Sequence, residues 1–385
     1  MQKGNRSSQN GVNMNYLSFD VGTTACKCQL FSEDGNILEY LSKEYGFYRE
    51  RGETYVDIAA IQENVFSMIK AVTQKYEVNS VCFSTFGEAF ILLDQDDNVL
   101  FRPMLYTDRR GEEQAITLSQ KFGNEHIYEI TGTLPHPMYS VSKLLYIKEN
   151  YPDIYAKADK VLLICDYLGY LLTGKRVIDY SLAARTGAFD IEKLRFSKEL
   201  CGALEINTEL FSMPDRTGTL IGEINKPELG LKNCKLVLGS HDQICTAIGA
   251  GVISDGQAVD GMGTVECITA VFKDKCNDIK AGEQGYPVVP FAVEGLYCTY
   301  ICNYASGSIV NWFKNDILHN YKGEDQTVFS YLEKGMTDAP SGLYTLPYFA
   351  GAAISYQDTT AKGAIVGLTT STTDSQIYQS IMPLQ

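Results

Sequence analysis

The chain has 385 residues, with 33 Lys and Arg against 47 Asp and Glu, and a formal net charge of −14. This acidic balance argues against nucleic acid and anionic membrane surfaces as partners, and no apolar run approaches the roughly 18 residues that a membrane span needs. Eleven scattered cysteines and four histidines complete no zinc-site spacing, which favours reduced thiols in a cytoplasmic protein over a structural metal site.

The first predicted elements surround a glycine-threonine turn. Residues 1–13 lack the apolar segment of a secretory signal, and we expect them to form a disordered leader. Residues 16–31 predict a strand, a Gly-Thr turn and a second strand, and residues 32–36 predict a hairpin turn before a third strand. From Asp57 onward apolar residues repeat at helical spacing, which predicts an amphipathic helix.

Short strands and helices alternate through the rest of the chain. The sequence predicts a buried strand at 78–85, a hairpin at 89–101, a helix at 140–152 that Pro152 stops, continued helical spacing over 153–172, and a strand, loop and helix over 235–251. This alternation favours an α/β protein. We place the domain boundary near residue 252, which gives domains at 14–251 and 252–385.

Two glycine-threonine turns echo each other along the chain. Gly263 lies 241 residues after Gly22, and the same offset sets Met262 against Val21. A glycine lets the backbone approach a phosphate closely, successive N–H groups form an anion-binding nest, and a Thr hydroxyl adds a donor. Asp20 before the first turn can hold Mg²⁺ through water. The alternative is an ordinary hairpin turn. The candidate phosphate-binding residues are Asp20, Gly22, Thr23, Thr24, Gly263 and Thr264.

Asp242 follows a predicted strand and lies near the start of a predicted helix. The positive end of the helix dipole favours a carboxylate at this position. Such a carboxylate can accept the proton of a substrate hydroxyl that attacks phosphorus. The alternative is a plain helix N-cap, because aspartate is common there.

A third group of polar residues follows other predicted strands. Gly87 and Glu88 come after the strand at 78–85, and Asp108 follows a second apolar segment. In α/β proteins, residues at strand ends line the ligand crevice, and carboxylates there can bind the hydroxyls of a sugar. The alternative is a pair of solvated loops.

Together these segments resemble the FGGY family of carbohydrate kinases, within the actin, hexokinase and heat-shock ATPase superfamily. The matching segments are 20–31, 84–94, 106–110, 138–150, 239–251, 260–266 and 303–313. The resemblance implies two actin-like (ribonuclease H-like) ATPase domains around a cleft, with ATP and Mg²⁺ as cofactors and a small sugar or polyol as partner. It also implies that Asp242 is the general base, that Gly87, Glu88 and Asp108 contact the substrate, and that Gly307 approaches the phosphates.

The resemblance stops at the last residues of the sequence. Residues 363–382 follow a second family pattern, but residues 383–385 end the chain before a Gly-rich adenine-binding loop. We therefore expect an incomplete second domain, whose exposed apolar faces predict a homodimer. The leading hypothesis is ATP-dependent phosphorylation of a ketose, such as a pentulose or hexulose, or of a polyol. One alternative is a remnant that binds sugar without turnover. Another is a different ATPase of the superfamily, against which Glu88, Asp108 and Asp242 argue.

Overall fold

The computed structural model describes residues 14–263, 265–276, 278–303, 305–318, 321, 323–324, 327–352, 358 and 360–382. These residues form two compact units. The first contains residues 14–131, 135–245 and 289–294, and the second contains the described residues of 132–134, 246–288 and 295–382. Within the described ranges, no helix combines the length and the apolar character that crossing a membrane requires.

The first half of the first unit starts with a run of strands. Its elements are β1 Asn15–Val21, β2 Ala25–Ser32, β3 Ile37–Glu44, β4 Phe47–Glu50, β5 Glu53–Val56, α1 Ile58–Thr73, β6 Ser80–Thr85, β7 Phe90–Leu93, β8 Val99–Phe101, α2 Glu112–Phe122, α3 Asn124–Thr131, α4 Ser140–Asn150 and α5 Pro152–Tyr155.

The second half of this unit alternates short helices and strands. Its elements are β9 Lys160–Leu163, α6 Ile164–Thr173, β10 Val177–Asp179, α7 Tyr180–Ala184, β11 Phe189–Asp190, β12 Arg195–Phe196, α8 Lys198–Ala203, β13 Met213–Asp215, β14 Leu220–Lys226, β15 Leu231–His241 and α9 Asp242–Gly249, with 3₁₀ turns at Thr208–Leu210 and Pro227–Leu229. Helix α9 starts in this unit.

A six-stranded sheet in the order β14-β15-β6-β1-β2-β3 organises the first unit. Strands β1, β6 and β15 are parallel, whereas β1, β2 and β3 form an antiparallel meander. Leu17, Phe19 and Val21 of β1 alternate with more exposed residues and are fully buried. Because side chains alternate across a strand, this pattern sends every second residue into the core.

Most of the elements predicted for this unit are confirmed. The strands on either side of Gly22 are β1 and β2, and the hairpin at 89–101 is β7 and β8. Helix α1 starts after Asp57, whose Oδ1 accepts a hydrogen bond from the Ala60 amide at 3.0 Å. Helix α4 ends at Asn150, and Pro152 opens the short helix α5. Proline fits that first turn because its missing N–H has no partner there in any helix.

Two predictions for this unit are wrong. Residues 153–172 are not continuously helical, because Lys160–Leu163 forms the strand β9, which pairs with β7. All four residues of β9 are buried, and a short run buried on both faces shows no period by which sequence reasoning distinguishes strand from helix. In addition, no loop separates β15 from α9, since the strand runs to His241 and the helix starts at Asp242.

The second unit begins with an antiparallel meander and continues with helices. Its elements are β16 Ala258–Met262, β17 Glu266–Phe272, α10 Ile279–Glu283, β19 Tyr297–Asn303, α11 Gly307–Trp312, α12 Val328–Lys334, β20 Tyr344–Leu346, β21 Ala364–Val366 and α13 Asp374–Ile381, with a π-helical turn at Phe313–Ile317; β18 Val289–Pro290 belongs to the first unit. A buried cluster that includes Ile309, Leu332 and Tyr378 joins α11, α12 and α13.

The hairpin β16–β17 repeats the β1–β2 hairpin with one residue more between corresponding paired positions, since four residues separate Val21 from Cys26 and five separate Gly261 from Cys267. Val21 pairs with Cys26, but Cys267 pairs with Gly261, not with the Met262 that the offset of 241 predicts. At the offset of 241, buried and more exposed residues alternate in the same phase in β2 and β17. The first strands of the two hairpins do not agree in this way, because Val21 is fully buried and Met262 is 64 % exposed. The two hairpins therefore share their architecture, but their first strands correspond at an offset one residue smaller.

Candidate functional site

The parallel strands of the first unit bring three predicted site segments to one edge of the sheet. Val21 and His241 both pair with Thr85, one on each side of it. The residues that follow these strand ends are therefore neighbours at the carboxyl edge, where α/β proteins bind ligands. Gly22 follows β1, Gly87 and Glu88 follow β6, and Asp242 follows β15. Pairing of the strands thus assembles candidates that are far apart in sequence.

Gly239 allows β15 to approach β6 closely just before Asp242. A Cβ atom at this position would lie 1.6 Å from the carbonyl oxygen of Phe83. The register between the two strands also shifts between Val237 and Ser240. A β-bulge of this kind re-aims the side chains that follow it. The glycine and the bulge together set the direction in which the chain enters α9 at Asp242.

A buried carboxylate holds the end of β15 in place. Asp179 Oδ2 accepts hydrogen bonds from the hydroxyls of Ser181 and Ser240, both at 2.8 Å. Asp179 Oδ1 accepts the amide of Leu182 at 3.1 Å, which caps α7. Because Ser240 lies two residues before Asp242, this network fixes the backbone that carries the candidate base. Sequence reasoning missed Asp179, which no motif marks and which lies 61 residues before Ser240.

Asp242 has the ionisation behaviour expected of a general base. Burial raises the pKa of its carboxyl group to about 6, hydrogen bonding from the Gln243 backbone opposes this rise, and repulsion from Asp20 adds to it. Its side chain keeps a third of its exposure. The Asp242 carboxylate is therefore open to a ligand and remains mostly ionised at neutral pH.

His241 lies beside Asp242 as a neutral imidazole. Its Nδ1 atom is 3.1 Å from Oδ1 of Asp242. Burial and the positive charge of Arg185 lower the pKa of His241 to about 4. The imidazole therefore carries no charge at neutral pH and does not neutralise the neighbouring carboxylate.

The first glycine-threonine turn is closed by its own backbone and by Tyr45. The Gly22 amide donates to the Ala25 carbonyl at 2.9 Å, and the Tyr45 hydroxyl donates to the Gly22 carbonyl. The hydroxyls of Thr23 and Thr24 form no hydrogen bond with any described residue. Two hydroxyl donors therefore remain available at the strand end where phosphate binding is predicted.

Glu88 is a buried carboxylate paired with Arg185, a residue that sequence reasoning did not single out. Both Nε and Nη2 of Arg185 donate to Oε1 of Glu88. Glu88 has a positive φ of 64°, and the Ser140 hydroxyl donates to its carbonyl at 2.6 Å. None of the described residues donates to Oε2 of Glu88. One carboxylate oxygen is therefore committed to the ion pair, and the other is available to a ligand.

Gly87 leaves room for the side chains that surround Glu88. A Cβ atom at Gly87 would lie 3.1 Å from the His241 ring and 3.4 Å from Arg185. A larger residue would press on both side chains. Gly87 therefore lies beside His241 and Arg185 and leaves no room there for a side chain.

Asp108 occupies a more crowded environment. Its carboxylate accepts the Thr54 amide at 2.6 Å and the Arg110 guanidinium at 2.7 and 2.8 Å. Burial acts to raise its pKa, but these bonds hold the pKa below the ordinary value. The fully buried Lys143 donates to the Asp108 carbonyl at 2.6 Å. Asp108 therefore orders the loop between β8 and α2, and its contact with substrate stays a prediction.

In the second unit, the predicted glycines contact each other. The Gly307 amide, at the start of α11, donates to the Gly263 carbonyl at 2.9 Å. The Gly263 amide in turn donates to the Val265 carbonyl at 2.9 Å. The turn of the second hairpin and the start of α11 are therefore bonded together. Thr264 lies outside the described residues.

Asp20 has the surroundings of a residue that holds a hydrated cation. Its side chain is 49 % exposed and, among the residues that the structure describes, pairs only with the exposed Lys27, at 3.4 Å. Within the described ranges, no group of three or more His, Cys, Asp or Glu side chains forms a metal cage. Mg²⁺ binds reluctantly in all-protein cages and prefers one or two carboxylates, water and phosphate oxygens. The donors present fit Mg²⁺ that arrives with a nucleotide.

Comparison with known proteins gives concordant results. Residues 15–249 match the sequence model of the N-terminal domain of the FGGY family of carbohydrate kinases. The chain is 27 % identical over 371 residues to a xylulose kinase of Bacillus subtilis, which covers 91 % of this chain and 71 % of that protein. It is 25 % identical to a gluconokinase of Bacillus licheniformis, which covers 92 % of this chain and 71 % of that protein.

The fold matches solved structures of similar proteins. A ligand-bound xylulose kinase from Lactobacillus acidophilus superposes with a TM-score of 0.86 at 25 % identity, over 96 % of this chain and 75 % of that one. The expected actin-like, ribonuclease H-like α/β fold is therefore confirmed.

Proposed function

Because the chain belongs to the FGGY family of carbohydrate kinases, which use ATP, we propose that it transfers the γ-phosphoryl group of ATP to a hydroxyl of a ketose or polyol, with Asp242 as general base. The observation that carries this proposal is the position of Asp242, directly after β15, at the carboxyl edge of the sheet and with a pKa of about 6. A base with a pKa just below neutral pH is ionised and still accepts a proton readily.

In this mechanism the carboxylate of Asp242 accepts the hydroxyl proton as the sugar oxygen attacks the γ-phosphorus. The start of α9 contributes a positive dipole that stabilises the ionised carboxylate before the reaction. Phosphoryl transfer depends on positioning and electrostatic stabilisation more than on covalent chemistry. The Asp179 network and Gly239 hold Asp242 in its orientation, and thereby supply the positioning.

The two glycine-threonine turns are proposed to bind the phosphates of ATP. In the first unit, Gly22, Thr23 and Thr24 offer a turn with two available hydroxyls. In the second unit, Gly263 and Gly307 provide backbone at a hairpin turn and a helix start. Asp20 is proposed to hold Mg²⁺ through water, and the ion, when bound, would neutralise charge on the phosphates.

The chemistry around Glu88 favours an uncharged substrate that is rich in hydroxyls. The ion pair with Arg185 leaves this buried pair with no net charge. Oε2 of Glu88 can accept a hydrogen bond from a sugar hydroxyl without losing the ion pair through Oε1. A substrate carboxylate has no proton to donate to Oε2 and could not form this hydrogen bond. We therefore propose a ketose such as a pentulose or hexulose, or a linear polyol.

The decisive experiment measures ADP release from Mg-ATP with D-xylulose, D-ribulose, glycerol and gluconate. We expect turnover with an uncharged sugar or polyol, a rate that rises as the pH passes through about 6, and its loss in Asp242→Asn. Asp34→Asn, at an exposed hairpin turn, is the matched control and should keep wild-type activity. Turnover in Asp242→Asn equal to wild type would refute the assignment. Sugar binding in calorimetry without ADP release would indicate the non-catalytic alternative.

A further inference from the structure

Two cysteines of the second unit face each other across neighbouring strands. Cys267 of β17 and Cys302 of β19 are paired residues in the antiparallel register, and their sulfur atoms are 2.9 Å apart. Neither is in a disulfide. Cys267 is buried, whereas Cys302 is half-buried and therefore accessible from solvent.

We propose that Cys267 and Cys302 form a reversible disulfide, so that this pair is a thiol-oxidation site. Paired residues in antiparallel strands have Cα atoms about 4.5–5.5 Å apart, within the range of about 4.4–6.8 Å that disulfides need. The sulfur atoms must approach by only about 0.9 Å to reach a bond length of about 2.0 Å. Rotation of the side chains supplies this movement, and the strands stay in register.

The oxidant in this proposal is a low-molecular-weight disulfide such as oxidised glutathione. The thiolate of Cys302, the more accessible residue, attacks one glutathione sulfur, and the other glutathione leaves as a thiolate. The thiolate of Cys267 then attacks Sγ of Cys302 and releases the second glutathione. Both protein thiols lose their protons and together two electrons, and one oxidised glutathione becomes two reduced molecules.

The disulfide would lie directly beneath the second glycine turn. Cys267 is the second residue of β17, which follows that turn, and Cys302 is the penultimate residue of β19, which leads into α11. The hydrogen bond from the Gly307 amide to the Gly263 carbonyl joins the turn that precedes β17 to the start of α11, which follows β19. A covalent link between the strands would restrain this contact, and the Gly307 amide should exchange more slowly with deuterium.

A consequence for nucleotide binding rests on the proposed function. If Gly263 and Gly307 bind phosphate, the oxidised protein holds these groups in place before ATP arrives and should bind ATP with a lower Kd. Oxidation itself is read out chemically and needs no kinase activity. Failure of the disulfide and failure of the proposed function can therefore be distinguished.

The test equilibrates the full chain, under native conditions, in buffers of defined reduced and oxidised glutathione. Peptide mass spectrometry should find the segments around Cys267 and Cys302 crosslinked, with the loss of two hydrogens, and reduction should restore both thiols. Cys298→Ser is the matched control, because Cys298 is buried in the same strand but faces Val271. It should still crosslink, whereas Cys267→Ser should keep glutathione attached at Cys302.

The wild-type chain alone decides the question if a variant fails to fold. A wild-type protein that stays reduced in oxidising buffer, that crosslinks only after unfolding, or that accumulates glutathione at Cys302 would overturn the proposal. Slower exchange at Gly307 in the oxidised protein would confirm that the link restrains the turn.

Discussion

Replacing Asp242 by asparagine should make the protein more stable while removing its activity. The carboxyl group has a pKa of about 6 in the folded chain and an ordinary value of 3.8. The folded state therefore binds this proton more tightly than the unfolded state does. Because the ionised carboxylate is disfavoured in the folded state, its presence lowers the free energy of unfolding at neutral pH. Asparagine keeps the shape and carries no charge.

The magnitude follows from the two pKa values. A difference between 3.8 and about 6 corresponds to about 3 kcal/mol, at about 1.36 kcal/mol for each pH unit. The side chain is one-third exposed, so solvent screening reduces this figure to roughly 1–2 kcal/mol. The gain should be small near pH 4, grow as the pH rises through about 6, and stay constant above about pH 7.

Urea unfolding of the wild-type chain and Asp242→Asn between pH 4 and 8 measures this gain. The control Asp34→Asn, at an exposed turn, should show no pH-dependent gain. His241 also titrates near pH 4, but it is present in both proteins, so its contribution largely cancels in the difference. A variant that is less stable than wild type at pH 7.5, or a gain that is equal at pH 4 and pH 8, would refute the reasoning.

Two further substitutions test the packing around the site. Gly239→Ala should lower the free energy of unfolding by more than about 4 kcal/mol, because its Cβ would collide with the backbone of β6. Soluble yield and urea unfolding measure this loss. The control Gly202→Ala, with no atom near its Cβ, should be tolerated. Arg185→Met should lower the free energy of unfolding by about 3–5 kcal/mol, because it leaves Glu88 buried without its partner. Adding Glu88→Gln should recover part of this loss in thermal unfolding. Equal stability of the single and double variants would contradict this expectation.

Sequence reasoning succeeded where the chemistry is local. A period of two or of 3.6 residues identified β1, β2 and α1, and turn residues marked the hairpins. The positions of Asp242 and Gly22 after their strands could also be predicted, because each belongs to a continuous segment. The strand β9 escaped prediction since four consecutive buried residues show neither period.

The partners of the candidate residues could not be predicted from local patterns. Arg185 is 97 residues away from Glu88 in the chain, and Asp179 is 61 residues away from Ser240. Only the folded sheet brings these residues together. An arginine or aspartate in an apolar stretch signals a buried partner, but it does not say which one. The predicted homodimer and the predicted boundary near residue 252 stay predictions.

The one-residue difference between the two hairpin turns limits how their parts can be exchanged. Val21 with Cys26 and Gly261 with Cys267 are the corresponding cross-strand pairs. A chimera that places the β1–β2 turn between Gly261 of β16 and Cys267 of β17 would remove a residue from the connection, because four residues would replace five. The β16–β17 hairpin would then have to slip by one position, which turns every side chain of one strand to the opposite face. Because the additional residue lies in the turn, Val259 of β16, which pairs with Thr269, keeps the place that Phe19, which pairs with Cys28, holds in β1.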